Sequence, residues 1–473
     1  MERVGLPWRI KVGYGLCTAA DYVPYNLFYI YFLYYLTDIV GVSAIIAGTI
    51  AFVVVVWDGI IDPLIGGFSD NYVTEKGRRL PWMKVSVAPL CVVIYLAFAP
   101  IEIKTAALQS AYYIAVPMLL WLFYSTFMVP YYALGAEITK DYNERNMLRF
   151  MTVFGGNLIL VFVSSGPMWI WAWAESAGYD DRHAWGLVGA VFAVVTFVLC
   201  FCGIFLLGNC ERASVKAALE AKKTKVKESF YKIWATCLRV KSFQKVTVWI
   251  TVYAVGFVMI YSICVYIMTH NVGMDTEQQG VFWIIYVAVV VISMPFITFF
   301  ANRVGKKPVV LAAMTPAVLA AMVFFFIGIN SVLSVYVYAG LWGVSSASFF
   351  TFYVAFAYDC VEIVEYLTGD RKDGSLSAIA TFCYQVGSAL GMYGMGVVLE
   401  RTGYDGMAEI QTEQALQGIL TVGTLLPAIA VTVALLVLAT YRVSKPKYAL
   451  LRTALVQKKA GNDYSAEGFK DIL

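Results

Sequence analysis

Long apolar stretches alternate with short polar segments along almost the whole chain. Twelve of these stretches hold the roughly 20 apolar residues that a helix needs to cross the hydrocarbon core of a bilayer. The stretches are continuous, without the alternation of a membrane barrel, so they predict helices. The predicted spans, numbered 1 to 12, lie near residues 12–37, 44–67, 83–100, 111–134, 149–172, 185–207, 246–268, 279–300, 308–329, 332–358, 375–398 and 415–441. No cleavable leader is recognised before span 1, which is expected to remain in the protein.

Composition and charge support an all-α integral membrane protein. Apolar residues make up 60% of the chain and charged residues only 14%, against about 25% charged residues in soluble domains. If the N-terminus is cytoplasmic, only Lys104, Arg182 and Arg401 of the 35 Lys and Arg residues lie on the outer side. The positive-inside rule therefore predicts that both termini are cytoplasmic. We expect a monomer in a bacterial inner membrane, in contact with lipid.

The spans fall into two sets of six. The sequence predicts an N-terminal half over 1–210, a cytoplasmic loop over 211–245, a C-terminal half over 246–443 and a polar cytoplasmic tail over 444–473, partly disordered. Two parallel halves around a midplane site resemble the major facilitator fold, whose members work by alternating access.

Two carboxylates lie at the centre of span 2. Asp58 and Asp62 are four residues apart and share one helix face. A charge at this depth costs about 2.5–3.5 kcal/mol, and two carboxylates do not both ionise in a dry site without a cation or a proton. The pair is therefore predicted to be the cation-coupling site. The alternative is that the two side chains bind backbone groups freed by Gly59 and Pro63, or a buried arginine.

Other polar and aromatic residues in the spans are candidates for solute binding. Asp21 lies in span 1 and Arg149 near the inner end of span 5. Arg149 either extends to the membrane surface or faces a cavity, where it would bind a carboxylate or a solute. If Tyr132 and Phe350 line a cavity, they would suit a sugar ring or a flat hydrophobic solute.

Charged residues also cluster at the inner ends of spans. The candidates for an inner gate are Asp70, Arg78, Arg79, Asp359, Glu362, Glu365 and Arg371. The residues of the inner turn after span 2 either only determine topology or form ion pairs that break when the transporter switches state. The acids at the inner end of span 10 are expected to form a solvated, gate-forming cluster that faces the inner basic loops, rather than a buried binding site.

Several functions are disfavoured. The sequence has no G-x-x-x-x-G-K-[ST] loop and only two histidines, His183 and His270, which the span boundaries put in outer loops. We therefore expect no enzyme activity, no metal site, no cofactor besides a coupling ion and no nucleic-acid partner. Gly387 and Gly391 have the spacing of close helix packing.

One motif has a recognisable relative. Residues 57–66, with Gly77-Arg78 and Pro81-Trp82, resemble the glycoside-pentoside-hexuronide:cation symporter family (melibiose permease-like) of the major facilitator superfamily. Residues 34–38, 129–134, 149–150 and 359–366 match it in the same order. The resemblance implies that Asp58 and Asp62 carry the coupling cation, H⁺ or Na⁺.

The resemblance also implies roles for further residues. Arg149 matches a position that holds the sugar, Tyr132 matches a cavity tryptophan, and Ser125 lies near a threonine beside the cation. The chain departs from the family pattern at four positions. Tyr22 takes the place of a sugar-binding carboxylate, and Asp21 lies about 100° round the helix from it. Met128 replaces an Asp or Asn, Gln385 replaces a lysine, and Ile61 replaces an asparagine.

These departures affect both the ion and the solute. Without an oxygen ligand at Ile61, H⁺ is favoured over Na⁺, because a metal cation of this kind binds several oxygens. The leading prediction is symport of a small sugar or glycoside. The alternatives are a mover of an acidic or amphiphilic solute, such as a uronide, a lysolipid or a drug-like molecule, and a membrane sensor or scaffold that transports nothing.

Overall fold

The computed structural model describes residues 6–71, 74, 77–139, 141–208, 210–211, 230–369, 373–408, 410–459, 466 and 468–472. Over these residues the regular structure is helical, apart from one isolated bridge between Thr74 and Gly77. Eleven of the described helices are long and apolar enough to cross a membrane, and span 1 is a further helical stretch. The all-α prediction is confirmed. Inner and outer refer below to the predicted orientation.

The helices extend past most of the predicted spans, because backbone hydrogen bonding continues beyond the apolar run. Span 1 comprises Trp8–Leu16, Ala19–Asn26 and two π-helical segments, Leu27–Phe32 and Tyr35–Ile39. Spans 2 to 6 are Ala44–Asn71, Leu80–Ala97, Ala106–Glu137, Tyr142–Ser176 and Asp181–Leu207. Span 7 is Lys241–Tyr266 followed by the π-helical segment Ile267–Val272. Spans 8 to 12 are Thr276–Val304, Lys306–Ile327, Val332–Asp359 with Val361–Thr368, Asp373–Arg401, and Glu413–Gly423 with Leu425–Ala439.

The chain divides into two compact units. The first unit comprises Met1–Lys225, Cys264–Val287 and Gly396–Leu416, so it includes the outer ends of spans 7, 8 and 11. Within it, span 4 packs against spans 2 and 3, and span 6 packs against spans 1 and 3. The second unit comprises Val226–Ile263, Ala288–Met395 and Gln417–Leu473, and within it span 9 packs against spans 10 and 12. The predicted division into two six-span halves was drawn from the sequence, and it stays a prediction.

Glycines allow spans to approach closely within each unit. In the second unit, a Cβ atom on Gly387 would lie 2.2 Å from the carbonyl oxygen of Thr251, and one on Gly391 would lie 2.7 Å from that of Val255. Spans 7 and 11 therefore contact each other backbone to backbone, and the packing role predicted for this glycine pair is confirmed.

The polar tail contains a packed helix. Lys445–Lys459 forms a helix that contacts Val361–Thr368 in the second unit. Phe469 is 1% exposed with its ring 5.4 Å from the ring of Tyr366, and the carbonyl of the buried Ile472 accepts a hydrogen bond from Ser242. The tail is polar on average, but a few apolar residues pack it against the rest of the second unit.

Candidate functional site

The predicted coupling pair lies on the face of span 2 that packs against span 4. Asp58 is 3% exposed, and its Oδ1 accepts a hydrogen bond from the hydroxyl of Ser125 at 3.4 Å. Asp62 is half-buried and lies between Asp58 and Gly66 on one face. A Cβ atom on Gly66 would lie 3.7 Å from Val129 of span 4. The structure therefore brings Asp58 and Ser125 together, as the resemblance implies.

A second carboxylate faces span 4 from span 1. The Asp21 carboxylate accepts one hydrogen bond from the hydroxyl of Tyr124 at 2.7 Å and another from the hydroxyl of Tyr132 at 2.8 Å. Span 1 is interrupted after Leu16, and Asp21 lies in the first turn of the segment that starts at Ala19.

Tyr124 connects the two carboxylate positions. Its phenol bonds to Asp21 and interacts electrostatically with Asp58. The next residue in span 4, Ser125, is the partner of Asp58. Three spans thus contribute to one polar cluster of Asp21, Tyr124, Asp58 and Ser125. Sequence reasoning missed the role of Tyr124, although its position beside Ser125 was a usable signal.

The other substrate candidates of the first unit point elsewhere. The ring of Tyr22 packs over Gly156 of span 5, where a Cβ atom would lie 2.3 Å from the ring. Tyr22 and Asp21 therefore face different spans, as their 100° separation requires. Met128 is buried. Arg149 is exposed, and in the described part of the chain its side chain makes no hydrogen bond or ion pair.

The candidates of the second unit belong to an aromatic cluster. Phe350 of span 10 packs edge-on against Phe257 of span 7, with ring centroids 5.3 Å apart, and against Tyr384 of span 11 at 6.0 Å. Gln385 follows Tyr384 and is half-buried. The cluster presents aromatic surface beside one amide side chain, which suits stacking on a sugar ring.

The predicted gate arginines of the first unit have glutamate partners. Arg79 donates to Glu137 at 2.8 and 3.2 Å, and Arg78 lies 3.6 Å from the same carboxylate. Glu211 accepts the backbone N–H groups of Arg78 at 3.2 Å, Arg79 at 2.7 Å and Leu80 at 3.0 Å. Burial raises the pKa of Glu211 above its ordinary value, and these three hydrogen bonds oppose the shift. The sequence had singled out neither glutamate.

The predicted gate acids of the second unit are not solvated. Glu362 is 9% exposed and Glu365 is 4% exposed, while Asp359 pairs with Lys306 at 2.7 Å. The expectation of a solvated cluster is wrong, because the tail helix covers this end of span 10. Tyr448 of the tail helix bonds to Glu362, and burial together with this hydrogen bond raises the pKa of Tyr448. The gating role stays a prediction. Arg371 and the side chain of Asp70 lie outside the described residues.

Comparison with known proteins shows where this architecture occurs. A family profile described as MFS/sugar transport protein matches residues 13–445. The glucuronide carrier protein homolog of Escherichia coli is 24% identical over 94% of this chain and 94% of its own. The isoprimeverose transporter of Lactiplantibacillus pentosus is 24% identical over 98% of this chain and 95% of its own. An uncharacterized symporter of Bacillus subtilis is 25% identical over 93% and 92%.

Solved transporters share the fold. The nucleoside transporter NupG superimposes with a TM-score of 0.60 at 12% identity, covering 92% of this chain and 99% of its own. The D-xylose-proton symporter superimposes with a TM-score of 0.55 at 14% identity, covering 93% and 98%. The predicted major facilitator fold is therefore confirmed.

Proposed function

The chain belongs to the MFS/sugar transport protein family, and from this premise we propose that it carries a neutral sugar or glycoside together with a proton by alternating access. The relatives named as symporters and sugar transporters support the general activity, a secondary transporter of glycoside-like solutes. The proton, the solute class, a bacterial inner-membrane location and cytoplasmic termini are our proposals. The distribution of Lys and Arg supports the orientation.

The polar cluster of Asp21, Tyr124, Asp58 and Ser125 carries the proposal. Two phenol hydrogen bonds hold Asp21 in position, and because a carboxylate has about four acceptor sites it can also accept sugar hydroxyl groups. Asp58 lies one helix turn from Asp62 and takes up the coupling ion. Tyr124, which binds Asp21, and Ser125, which binds Asp58, are consecutive residues of span 4, so the charge at Asp58 acts close to a donor of Asp21. Ion binding and solute binding are thereby linked.

The ligands around Asp58 favour a proton. Asp58 and Asp62 supply carboxylate oxygens, while the Ser125 hydroxyl lies 3.4 Å from Asp58 and Ile61 supplies no side-chain oxygen. A metal cation of this type binds several oxygens at short distances, whereas a proton needs one carboxylate.

The charge of the cluster favours a neutral solute. The carboxylates of Asp21, Asp58 and Asp62 repel an anion at close range. The second candidate is a hexuronide, and one observation favours it: Arg149 makes no ion pair within the described structure, so its guanidinium has capacity for a carboxylate. The two candidates differ in their dependence on this arginine.

Flux in proteoliposomes tests the proposal. Purified protein is reconstituted with an internal pH dye, the membrane potential is clamped, and a neutral glycoside or a hexuronide is added in sodium-free buffer. Asp58→Asn, Asp62→Asn and Arg149→Gln are compared with the parent. Asp180→Asn, which changes an exposed outer carboxylate, is the matched control.

We expect the neutral glycoside to acidify the lumen in the parent and in Asp180→Asn, and in neither span 2 variant. Flux that requires added Na⁺ overturns the proton assignment. Selective uptake of the hexuronide that is lost in Arg149→Gln replaces the neutral solute by the acidic one. Flux that persists in both span 2 variants removes the coupling role and favours a lipid or drug mover, and no flux with any solute favours the sensor or scaffold.

A further inference from the structure

A group of titratable side chains joins the outer ends of three spans in the first unit, far along the sequence from the coupling pair. Asp38 ends the π-helical part of span 1, and His270 lies in the π-helical segment that ends span 7. The third member, Tyr404, follows span 11. The prediction that His270 lies in a loop is wrong, because the helical hydrogen bonding continues through Val272. No role proposed above uses these residues.

Both carboxylate oxygens of Asp38 are occupied. Oδ1 lies 2.8 Å from His270 Nε2 and accepts the Tyr404 hydroxyl at 2.6 Å, and the Thr37 hydroxyl donates to Oδ2 at 2.6 Å. The Tyr404 hydroxyl lies 2.9 Å from the same imidazole nitrogen. The side chain of Asp38 is 5% exposed and that of His270 is 15% exposed. These contacts close a triangle in which the imidazole Nε2 carries a hydrogen.

The surrounding contacts join the same three elements. The hydroxyls of Thr37 and Tyr266 lie 2.7 Å apart. A Cβ atom on Gly406 would lie 2.4 Å from the carbonyl oxygen of Thr37, so the segment after span 11 lies directly on the end of span 1. Burial, followed by the Asp38 carboxylate, raises the pKa of Tyr404 well above its ordinary range, so the phenol remains a donor.

We propose that Asp38, His270 and Tyr404 form a proton-binding latch that closes the outer mouth of the transporter, and that protonation of His270 tightens it. Span 1 belongs to the predicted N-terminal half, and spans 7 and 11 belong to the C-terminal half. Opening to the outside separates these halves and breaks the triangle. Irregular π-helical segments, which occur often at functional sites, contain Asp38 in span 1 and His270 in span 7.

Protonation acts on the latch through charge. When His270 is neutral, a buried carboxylate accepts hydrogen bonds from three neutral donors. When His270 is charged, the same contact becomes an ion pair, in which the attraction between the imidazolium and the carboxylate adds to the hydrogen bond. External acid, which supplies the proton to His270, therefore favours the closed mouth.

The other charged and titratable groups near His270 lie on spans 1, 6 and 7, at the start of span 8 and after span 11. The phenols are Tyr34 of span 1 and Tyr266 of span 7 itself. From span 6, the Arg182 guanidinium donates to the carbonyls of Ile39 and Val40, and Asp181 accepts the indole N–H of Trp171. Asp275 at the start of span 8 and Asp405 beside Tyr404 accept backbone N–H groups.

Labelling of a native cysteine tests the latch without any solute or coupling ion, so its outcome is independent of the transport proposal. Cys264 of span 7 is 7% exposed and lies six residues before His270, below the latch. The other eight cysteines are replaced, and right-side-out vesicles are treated with a membrane-impermeant maleimide. The matched control is His183→Gln, which changes the exposed histidine that pairs with Asp180.

We expect Tyr404→Phe, His270→Gln and Asp38→Asn each to speed labelling about ten-fold, the loss of one charge-assisted hydrogen bond, with His183→Gln unchanged. Tyr404→Phe keeps the ring, and a symmetric size-exclusion peak establishes that each variant is folded. The ratio of the His270→Gln rate to the parent rate should rise from pH about 7.5 to about 5.5, since thiol chemistry cancels in the ratio.

Three results overturn the proposal. Equal rates in the parent and all three variants remove the latch. A ratio that does not change with pH removes the proton dependence. Labelling that occurs only in inside-out vesicles assigns this end of the spans to the cytoplasm and removes the outer gate.

Discussion

The Glu211 carboxylate provides a prediction that requires no knowledge of the transported solute. It accepts three consecutive backbone N–H groups where span 3 begins. The first amides of a helix have no partner within the helix, and a negative group there also interacts favourably with the helix dipole. Glu211→Ala removes the acceptor and leaves these amides without it.

The magnitude follows from the burial of the three residues. Arg79 and Leu80 are 4% and 1% exposed, whereas Arg78 is half-buried and open to water. An unsatisfied buried donor costs about 1–3 kcal/mol, so the two buried amides together cost about 4 kcal/mol. For a chain of this size we expect a fall in the unfolding temperature of roughly 4–8 °C.

The neutral isostere separates hydrogen bonding from charge. Burial raises the pKa of Glu211, so the ionised form is disfavoured in the folded protein relative to the unfolded chain. A raised carboxyl pKa means that this group's contribution to stability increases as the pH falls through the folded-state pKa. Glu211→Gln retains one acceptor oxygen and should unfold within about 2 °C of the parent at pH 7, and the parent should gain stability relative to this variant in mild acid.

The assay is thermal unfolding in detergent, followed with a dye that becomes fluorescent on reaction with buried cysteines such as Cys17 and Cys200. The scan rate is held constant, because such unfolding is commonly irreversible. Glu102→Ala, which removes an exposed loop glutamate, is the control and should not shift the transition. A Glu211→Ala variant that unfolds with the parent would refute the capping argument. A Glu211→Gln variant as unstable as Glu211→Ala would show that the charge is what matters.

Three further predictions concern the polar cluster, the glycine contact and the tail. Tyr124→Phe should weaken solute binding in the flux assay about ten-fold, because it removes a donor to the half-buried Asp21 carboxylate. Tyr132→Phe should weaken binding less, because the Tyr132 ring is exposed, and equal effects would contradict the connecting role of Tyr124. Gly387→Ala should prevent folding or strongly destabilise the protein. The control Gly340→Ala, whose Cβ meets nothing within 4 Å, should be neutral or stabilising by about 0.5–1 kcal/mol. The unfolding temperatures of the two variants test this difference. Phe469→Ala should release the tail and speed tryptic cleavage of the tail helix in inside-out vesicles, and cleavage at the parental rate would contradict its anchoring role.

Much of the fold follows from local properties of the chain. Hydropathy alone predicts the spans, since one helix crossing needs one continuous apolar run. The carboxylates Asp58 and Asp62 were found because charge inside an apolar run is costly and therefore conspicuous. The contact of Asp58 with Ser125 was implied by the family resemblance and agrees with the structure. The packing role of Gly387 was predictable because its spacing from Gly391 is typical of close helix packing.

The rest depends on contacts between distant segments. His270 lies 232 residues from Asp38, and no local pattern links an imidazole at the end of one span to a carboxylate at the end of another. Tyr124 was one aromatic residue among many until Asp21 was found opposite it. Glu211 was assigned to a charged loop, since only the fold reveals that it binds the start of span 3.

The packed tail has a practical consequence for work with the purified transporter. Polar C-terminal residues are commonly trimmed before crystallisation, or extended directly with an affinity tag or a fluorescent reporter. Here Phe469 and Ile472 are both 1% exposed, so either change would disturb an anchored element beside the buried Glu362 and Glu365. A tag attached through a flexible spacer, or at the other terminus, preserves the contact. Expression yield of a tagless protein is the proper reference for any such variant.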